Sequence, residues 1–123
     1  MKTLVVGLGN PILGDDGVGW KVAEEVKKLL TVDSGVDVEC LSLGGISLME
    51  HLIGYSRVIL VDSFALDEPI GSILILKLDD LPNYSAYHTN SPHDTSLQNA
   101  IAMGKTLGAK LPDEVTVVGI ATR

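Results

Sequence analysis

Apolar and polar residues follow one another in blocks whose length and spacing are typical of single strands and helices. Short continuous apolar runs indicate buried strands, and longer stretches with apolar residues every three or four positions indicate helices. The pattern predicts strands at residues 3–6, 36–43, 57–62, 71–78 and 115–120, a helix at 16–30, a short helix after Gly44-Gly45, and a last helix whose apolar stripe ends at Leu107. This order predicts a single α/β domain over residues 1–123, a three-layer arrangement with a mostly parallel twisted sheet of about five strands and helices on both faces.

Three finer features of this arrangement follow from local spacing. Ser47-x-x-Glu50 and Thr95-x-x-Gln98 have the spacing of capping boxes, so we expect each to begin a helix. The fourth strand follows the third after a connection too short for a crossover helix, which indicates an antiparallel or edge pairing. Residues 79–92 are polar and without periodicity, and a loop of that length in a compact domain is often functional.

Composition narrows the class of protein. Hydrophobic residues make up 46% of the chain and aromatic residues only 4%, so the core must be aliphatic. The net charge of −7 argues against nucleic acid as a partner, because phosphates need Lys and Arg.

The one cysteine, Cys40, forms no internal disulfide and fits a reducing compartment. The first apolar run is too short for a signal peptide or a membrane span, so we expect a cytoplasmic protein without a membrane partner.

A glycine-rich turn with two carboxylates, residues 7–19, joins the first strand to the first helix. Such a turn lies at the carboxyl edge of a parallel sheet, where these folds bind ligands. A dinucleotide fingerprint would need a third glycine where Ile12 stands, and a P-loop would need Lys where this chain has Asp15-Asp16. The turn therefore predicts no nucleotide, and one of the two aspartates could serve simply as a helix cap.

Three polar side chains fall on three segments predicted to meet at that edge: Asp16, Asp62 after the buried third strand, and His93 before the last helix. Two carboxylates and an imidazole can bind a divalent metal ion and leave coordination positions open. The alternative is three unrelated polar residues at element ends. His88 competes with His93, which we favour because Pro92 and the helix start define its position.

The run Gly7-x-Gly9-Asn10-x-x-x-x-Asp15-Asp16-Gly17-x-Gly19 resembles the opening motif of the hydrogenase maturation proteases. These endopeptidases remove the C-terminal extension of the nickel-iron hydrogenase large subunit. Val61-Asp62 at a central strand and His93 before a helix also match that family's pattern. The resemblance extends over essentially the whole chain with the elements in the same order.

The resemblance implies a function and roles for the three residues. Asp16 and Asp62 stand where the family has acidic metal ligands, and His93 stands where it has the third ligand. The metal implied is nickel already installed in the substrate, so the protease recognises the loaded large subunit by completing the coordination of that ion. The same three residues are then the candidate catalytic residues, and the large subunit is the protein partner.

The chain departs from the family pattern in two places. Family members often carry an Asp-Gly-Gly-Thr turn linked to substrate recognition, where this chain has Leu43-Gly44-Gly45-Ile46. Members also continue into a further helix after the last strand, so we expect a sheet face left uncovered by residues 1–123, which could form a homodimer.

Two other functions remain open from the sequence. One is a non-catalytic metal-binding or hydrogenase-assembly scaffold. The other is a peptidyl-tRNA hydrolase, whose opening resembles Gly7-Leu8-Gly9-Asn10-Pro11 but continues differently and is opposed by the acidic charge.

Overall fold

A computed structural model describes residues 2–9, 17–65, 67–81, 84 and 95–122. The elements in chain order are β1 (Thr3–Leu8), α1 (Val18–Leu29), β2 (Val36–Leu41), α2 (Gly45–His51), β3 (Arg57–Ala65), β4 (Ile73–Lys77), a 3₁₀ turn (Leu78–Asp80), α3 (Leu97–Thr106) and β5 (Glu114–Thr122). Of the helices in these ranges, none combines the length and the apolar character needed to cross a membrane.

The five strands form one sheet in the order β2-β1-β3-β5-β4. β1 lies between β2 and β3, β3 pairs with β5, and all of these pairs are parallel. β4 pairs antiparallel with β5 and forms an edge of the sheet. The predicted α/β class, the mostly parallel sheet of about five strands and the edge position of the fourth strand are confirmed.

Helices cover both faces of the sheet because successive strand residues point to opposite sides. On one face, Val22 of α1 packs against the cluster that includes Val61. On the other face, Leu48 of α2 and Leu97 of α3 join Leu60 in the larger core, and all three side chains are fully buried. Burying an aliphatic side chain of this size contributes about 1.5–3 kcal/mol.

Two glycines let α1 lie directly on the strands. A β-carbon on Gly7 would collide with the carbonyl oxygen of Gly19 and would lie 2.8 Å from Cβ of Ala23. A β-carbon on Gly19 would lie 2.5 Å from the carbonyl oxygen of Val61. The glycines at these two positions of the motif are therefore required by the close approach of helix and sheet.

The end of β3 differs from the prediction. The strand continues to Ala65, so Asp62 lies inside it and does not end it. β1 pairs with β3 only as far as Gly7 and Val61, which places Asp62 one residue beyond the last pair of that ladder. β3 extends further because β5 remains paired with it through Ala65. The predicted strand end was wrong, but Asp62 does lie where the pairing with β1 stops.

The predicted capping boxes were also wrong. α2 begins at Gly45 with no side-chain cap, so Ser47 lies inside its first turn. α3 is capped by Ser96, one residue later than predicted, and the Ser96 Oγ accepts a hydrogen bond of 3.2 Å from the backbone N–H of Asn99. The Gln98 side chain instead donates to the Leu78 carbonyl oxygen at 3.1 Å. Tertiary contacts decided between neighbouring residues with similar capping propensity.

The edge formed by β4 presents apolar side chains to solvent. Ile73 and Ile75 are 64% and 72% exposed, respectively. Ile73 pairs with Ile120, and Ile75 pairs with Val118. Ile120 and Val118 lie on the sheet face against which α1 packs at the other half of the sheet.

Candidate functional site

Asp62 is the predicted site residue that the structure describes in full. Its side chain is completely buried, in strand β3 between β1 and β5. The backbone N–H of Ser63 donates to its Oδ1 at 2.8 Å, and the hydroxyl of Tyr84 donates to its Oδ2 at 2.7 Å. Hydrogen bonds of this kind offset the cost of burying a polar group. Asp62 is therefore held in one orientation at the carboxyl end of the β1–β3 ladder.

Tyr84 is a site residue that reasoning from the sequence missed. It lies in the stretch predicted as a polar loop, yet its side chain is only 6% exposed and belongs to the larger core. Burial, the negative charge of Asp62 and the hydrogen bond to Asp62 together raise the pKa of the Tyr84 hydroxyl well above its usual value. The available signal was an aromatic residue within a polar stretch of a chain that has few aromatic residues.

The start of α1 lies beside Asp62. Gly19 contacts the carbonyl oxygens of Leu8 and Val61, the last residue of β1 and the residue immediately before Asp62. Asp15 and Asp16 fall just before this helix and lie outside the described residues. The structure thus brings the beginning of α1 to the predicted site.

The chain leaving β1 is tied to the end of β2. Gly9 has a φ of 143°, which favours glycine, and its N–H donates to the Leu41 carbonyl oxygen at 3.2 Å. The Ser42 hydroxyl donates to the Gly9 carbonyl oxygen, and the Trp20 indole N–H donates to the Leu41 carbonyl oxygen at 3.0 Å. These bonds determine where the glycine-rich turn departs from the sheet.

The start of α3 is connected to Asp62 through Tyr84. The backbone N–H of Leu97 donates to the Tyr84 carbonyl oxygen at 3.1 Å, so the first residue of α3 is joined to a direct partner of Asp62. A β-carbon on Gly45 would lie 3.2 Å from the Thr95 carbonyl oxygen, which places the turn before α2 against the same segment. His93 and its rival His88 lie outside the described residues.

The proposed metal ligands are only partly described. Within the ranges given above, no three His, Cys, Asp or Glu side chains are grouped so that they could hold a metal ion. Asp16 and His93 fall outside those ranges, so the set Asp16, Asp62 and His93 stays a prediction. Of the three predicted ligands, the structure places the Asp62 carboxyl group. Carboxylate oxygens are ligands for hard or borderline divalent ions.

Two other reactive side chains lie away from this site. Cys40 is half-buried in β2, where burial and, to a smaller extent, the charge of Glu24 raise the pKa of its thiol, against an opposing effect of Lys27. His51 is exposed, and its Nδ1 lies 3.6 Å from the Glu39 carboxylate. Neither residue contacts Asp62 in the part of the chain that the structure describes.

A cleft of about 520 Å³ is lined by Lys77, Gln98, Lys105 and Glu114, among others. Glu114 pairs with Arg57 at the amino end of β3, five residues from Asp62, which corresponds to roughly 17 Å along a strand. The cleft is therefore separate from the candidate site.

Comparisons with known proteins agree with the fold. HupD of Bradyrhizobium diazoefficiens, a hydrogenase expression/formation protein, is 25% identical over 118 residues, which cover 96% of this chain and 61% of that protein. The hydrogenase 2 maturation protease of Escherichia coli is 25% identical over 123 residues, with 98% of this chain and 73% of that protein covered. The structure of the E. coli hydrogenase maturating endopeptidase HybD superposes with a TM-score of 0.77 at 22% identity, over all of this chain and 75% of that one.

The chain spans about three fifths of the length of HupD. The sequence model described as hydrogenase maturation protease matches residues 20–123, well over half of the chain. The chain therefore belongs to the hydrogenase maturation protease family.

Proposed function

We propose that this protein is an endopeptidase that removes the C-terminal extension of a nickel-loaded hydrogenase large subunit in the cytoplasm. The observation that carries the proposal is the fully buried Asp62, held by two hydrogen bonds where β1 stops pairing with β3, in a chain of the maturation protease family. Family membership also favours this function over peptidyl-tRNA hydrolysis.

The position of α1 supports a role for Asp16. Gly19 contacts the carbonyl oxygen of Val61, next to Asp62. Asp16 precedes Gly19 by three residues, and three residues of chain span at most about 11 Å. Chain length therefore permits the Asp16 carboxylate to reach Asp62.

The bond between Tyr84 and Leu97 supports a histidine as the third ligand. It joins both ends of the intervening segment at the main chain of Tyr84, whose side chain donates to Asp62. His88 follows Tyr84 by four residues and His93 precedes Leu97 by four, and four residues span at most about 14 Å. Chain length alone permits either histidine, and we retain His93.

In the proposed reaction, nickel is part of the substrate. Asp16, Asp62 and His93 would complete the coordination of the ion in the large subunit and so admit only a precursor that has received its metal. A zinc protease, by contrast, owns its metal and uses it to activate water. The peptide bond to be cleaved would be placed by this recognition beside the three side chains.

The test is cleavage of a hydrogenase large-subunit precursor, prepared with and without nickel, and followed by mass spectrometry. We expect removal of the C-terminal extension only from the nickel-loaded form. Asp16→Ala, Asp62→Ala and His93→Ala should each abolish cleavage, whereas His51→Ala, which alters an exposed histidine, should leave the rate unchanged.

Three results would argue against parts of this proposal. Binding of the loaded precursor without cleavage would favour the non-catalytic scaffold. Loss of cleavage in His88→Ala but not in His93→Ala would make His88, in place of His93, the third ligand. Equal cleavage of loaded and nickel-free precursor would remove the role of nickel.

We also propose that two copies of this chain associate through the exposed face of β4 and β5. Ile73 and Ile75 present apolar surface there, next to Val118 and Ile120 of the same face. The charged residues of this face, Lys77 and Glu114, have opposite signs and lie toward the other end of the two strands, so two copies can approach through its apolar part despite a net charge of −7. Light scattering should give a dimer for the wild type and a monomer for Ile75→Lys, with Val32→Lys as the exposed control. A monomeric wild type would overturn this proposal.

A further inference from the structure

We propose that Tyr84 is a positioning residue for the reaction, because it holds the Asp62 side chain and joins the start of α3 to it. The inference rests on the proposed function in that Asp62 takes part in cleavage. Tyr84 itself need not touch the substrate.

The contact between the two side chains is buried and direct. Tyr84 is 6% exposed and Asp62 fully buried, and the hydroxyl donates to Oδ2 at 2.7 Å. The Ser63 N–H donates to the other carboxyl oxygen, Oδ1, at 2.8 Å. With a donor on each oxygen, both the rotation and the tilt of the carboxyl group are restricted.

The main chain of Tyr84 is anchored on both sides. Its N–H donates to the Leu81 carbonyl oxygen and its carbonyl oxygen accepts from the Leu97 N–H, both at 3.1 Å. The Gln98 amide donates to the carbonyl oxygens of Leu78 and Leu81 and so holds the 3₁₀ turn against α3. The backbone from which the Tyr84 side chain reaches Asp62 is therefore fixed relative to the start of α3.

The ring of Tyr84 is supported from β3. Its centroid lies 6.1 Å from that of Phe64, with the ring planes inclined by 40°. A β-carbon on Gly119 of β5 would lie 2.5 Å from the Phe64 ring, so glycine is required there for Phe64 to take this position. Gly119 is the register partner of Asp62. The residues that support the Tyr84 ring therefore lie at the same level of the sheet as Asp62.

These contacts have a consequence for catalysis. Groups that orient a metal-binding or proton-accepting side chain act mainly through geometry, and their removal typically reduces activity or metal affinity by about ten- to a hundred-fold. Tyr84→Phe removes only the hydroxyl and keeps the ring contact and both backbone bonds. We expect kcat/KM for the nickel-loaded precursor to fall by roughly ten-fold or more.

The chain offers a matched control. Tyr55 donates to Oδ2 of Asp37 at 2.6 Å, so Tyr55→Phe also removes one tyrosine–aspartate hydrogen bond, but at an exposed position on the β2 side. Tyr55→Phe should leave kcat/KM unchanged. If Tyr84→Phe cleaves the precursor as fast as Tyr55→Phe does, the positioning role is wrong even though the proposed function stands.

NMR spectroscopy tests the positioning role of Tyr84 separately from the proposed protease function, because it does not depend on activity. In Tyr84→Phe we expect the Asp62 carboxyl ¹³C and Ser63 amide NMR signals to shift, while the Leu97 amide keeps its slow hydrogen exchange. Phe64→Leu, which retains the hydroxyl, should give smaller shifts of the same signals and covers the case in which Tyr84→Phe fails to fold. Unchanged Asp62 and Ser63 signals in both variants would overturn the inference, whether or not the wild type cleaves the precursor.

Discussion

The carbonyl oxygen of Val61 lies 2.5 Å from the point that a β-carbon on Gly19 would occupy. This contact connects the glycine-rich motif with the predicted acidic site, because Val61 immediately precedes Asp62 on β3. The motif glycines thus act by letting the start of α1 approach the strand that carries Asp62. Substitutions at this contact should change stability and site geometry together.

Gly19→Ala should destabilise the protein by about 2 kcal/mol or more, since the new methyl group meets backbone atoms that cannot move aside. Trp20, the one tryptophan of the chain, follows Gly19 and donates to Leu41, so its fluorescence reports on the position of α1. We expect a lower urea midpoint and a red-shifted emission. At Gly108 a β-carbon would meet nothing within 4 Å, but the φ of 93° strains alanine, so Gly108→Ala should lower the urea midpoint while leaving the emission unchanged. An unchanged spectrum for Gly19→Ala would contradict the close contact.

The N-cap of α3 can be tested by comparing two neighbouring hydroxyl residues. Ser96 accepts the hydrogen bond from the Asn99 N–H, so Ser96→Ala should lower the free energy of unfolding by about 1 kcal/mol. Thr95→Ala removes the hydroxyl one residue earlier and should have a smaller effect. Urea unfolding followed by circular dichroism measures both. A larger loss for Thr95→Ala would restore the capping box predicted from the sequence.

Cys40 should react slowly with thiol reagents. Its Sγ donates to the Trp20 carbonyl oxygen at 3.8 Å, and burial raises the pKa of the thiol, so less thiolate is present at a given pH. Because Glu24 raises this pKa and Lys27 lowers it, Glu24→Gln should speed the reaction and Lys27→Gln should slow it. The rate of labelling by a chromogenic disulfide at pH 8 tests this. The same direction of change in both variants would show that charge does not control the thiol.

Tyr55 should titrate unusually late. The hydrogen bond to Asp37 is the largest of several effects that raise its pKa to about 12. Because the folded-state pKa lies above the value near 10 of the unfolded chain, the stabilising effect is complete below pH 10 and is lost as pH rises through 12. Between these values, the difference in unfolding free energy between the wild type and Tyr55→Phe should decrease.

The ionisation itself can be followed by ¹³C NMR of labelled tyrosine, with Tyr55→Phe to assign the signal. Asp37→Asn removes the negative charge and should lower the pKa of Tyr55. An ordinary pKa in the wild type would mean that the bond to Asp37 is not maintained in solution.

Local patterns in the sequence were sufficient for the elements and the class of fold. The buried run that ends at Val61 predicted a central strand, and the short connection before β4 predicted an edge pairing, as observed. Both predictions depend only on residues that lie a few positions apart in the sequence. The predicted starts of α2 and α3 were wrong by a residue or more, because Gly45 lies against Thr95, and because Leu97 and Gln98 donate to the distant residues Tyr84 and Leu78.

Local patterns in the chain suffice to predict the alternation of strands and helices and the aliphatic core, and the motif resemblance singled out Asp16, Asp62 and His93. The surroundings of Asp62, by contrast, become visible only in the folded chain. Tyr84 lies 22 residues from it in a stretch without periodicity, and Gly119 lies farther still, so no local spacing relates them. The physical reason is that periodicity reports which face of an element is buried, whereas a hydrogen bond between segments depends on how those faces pack together.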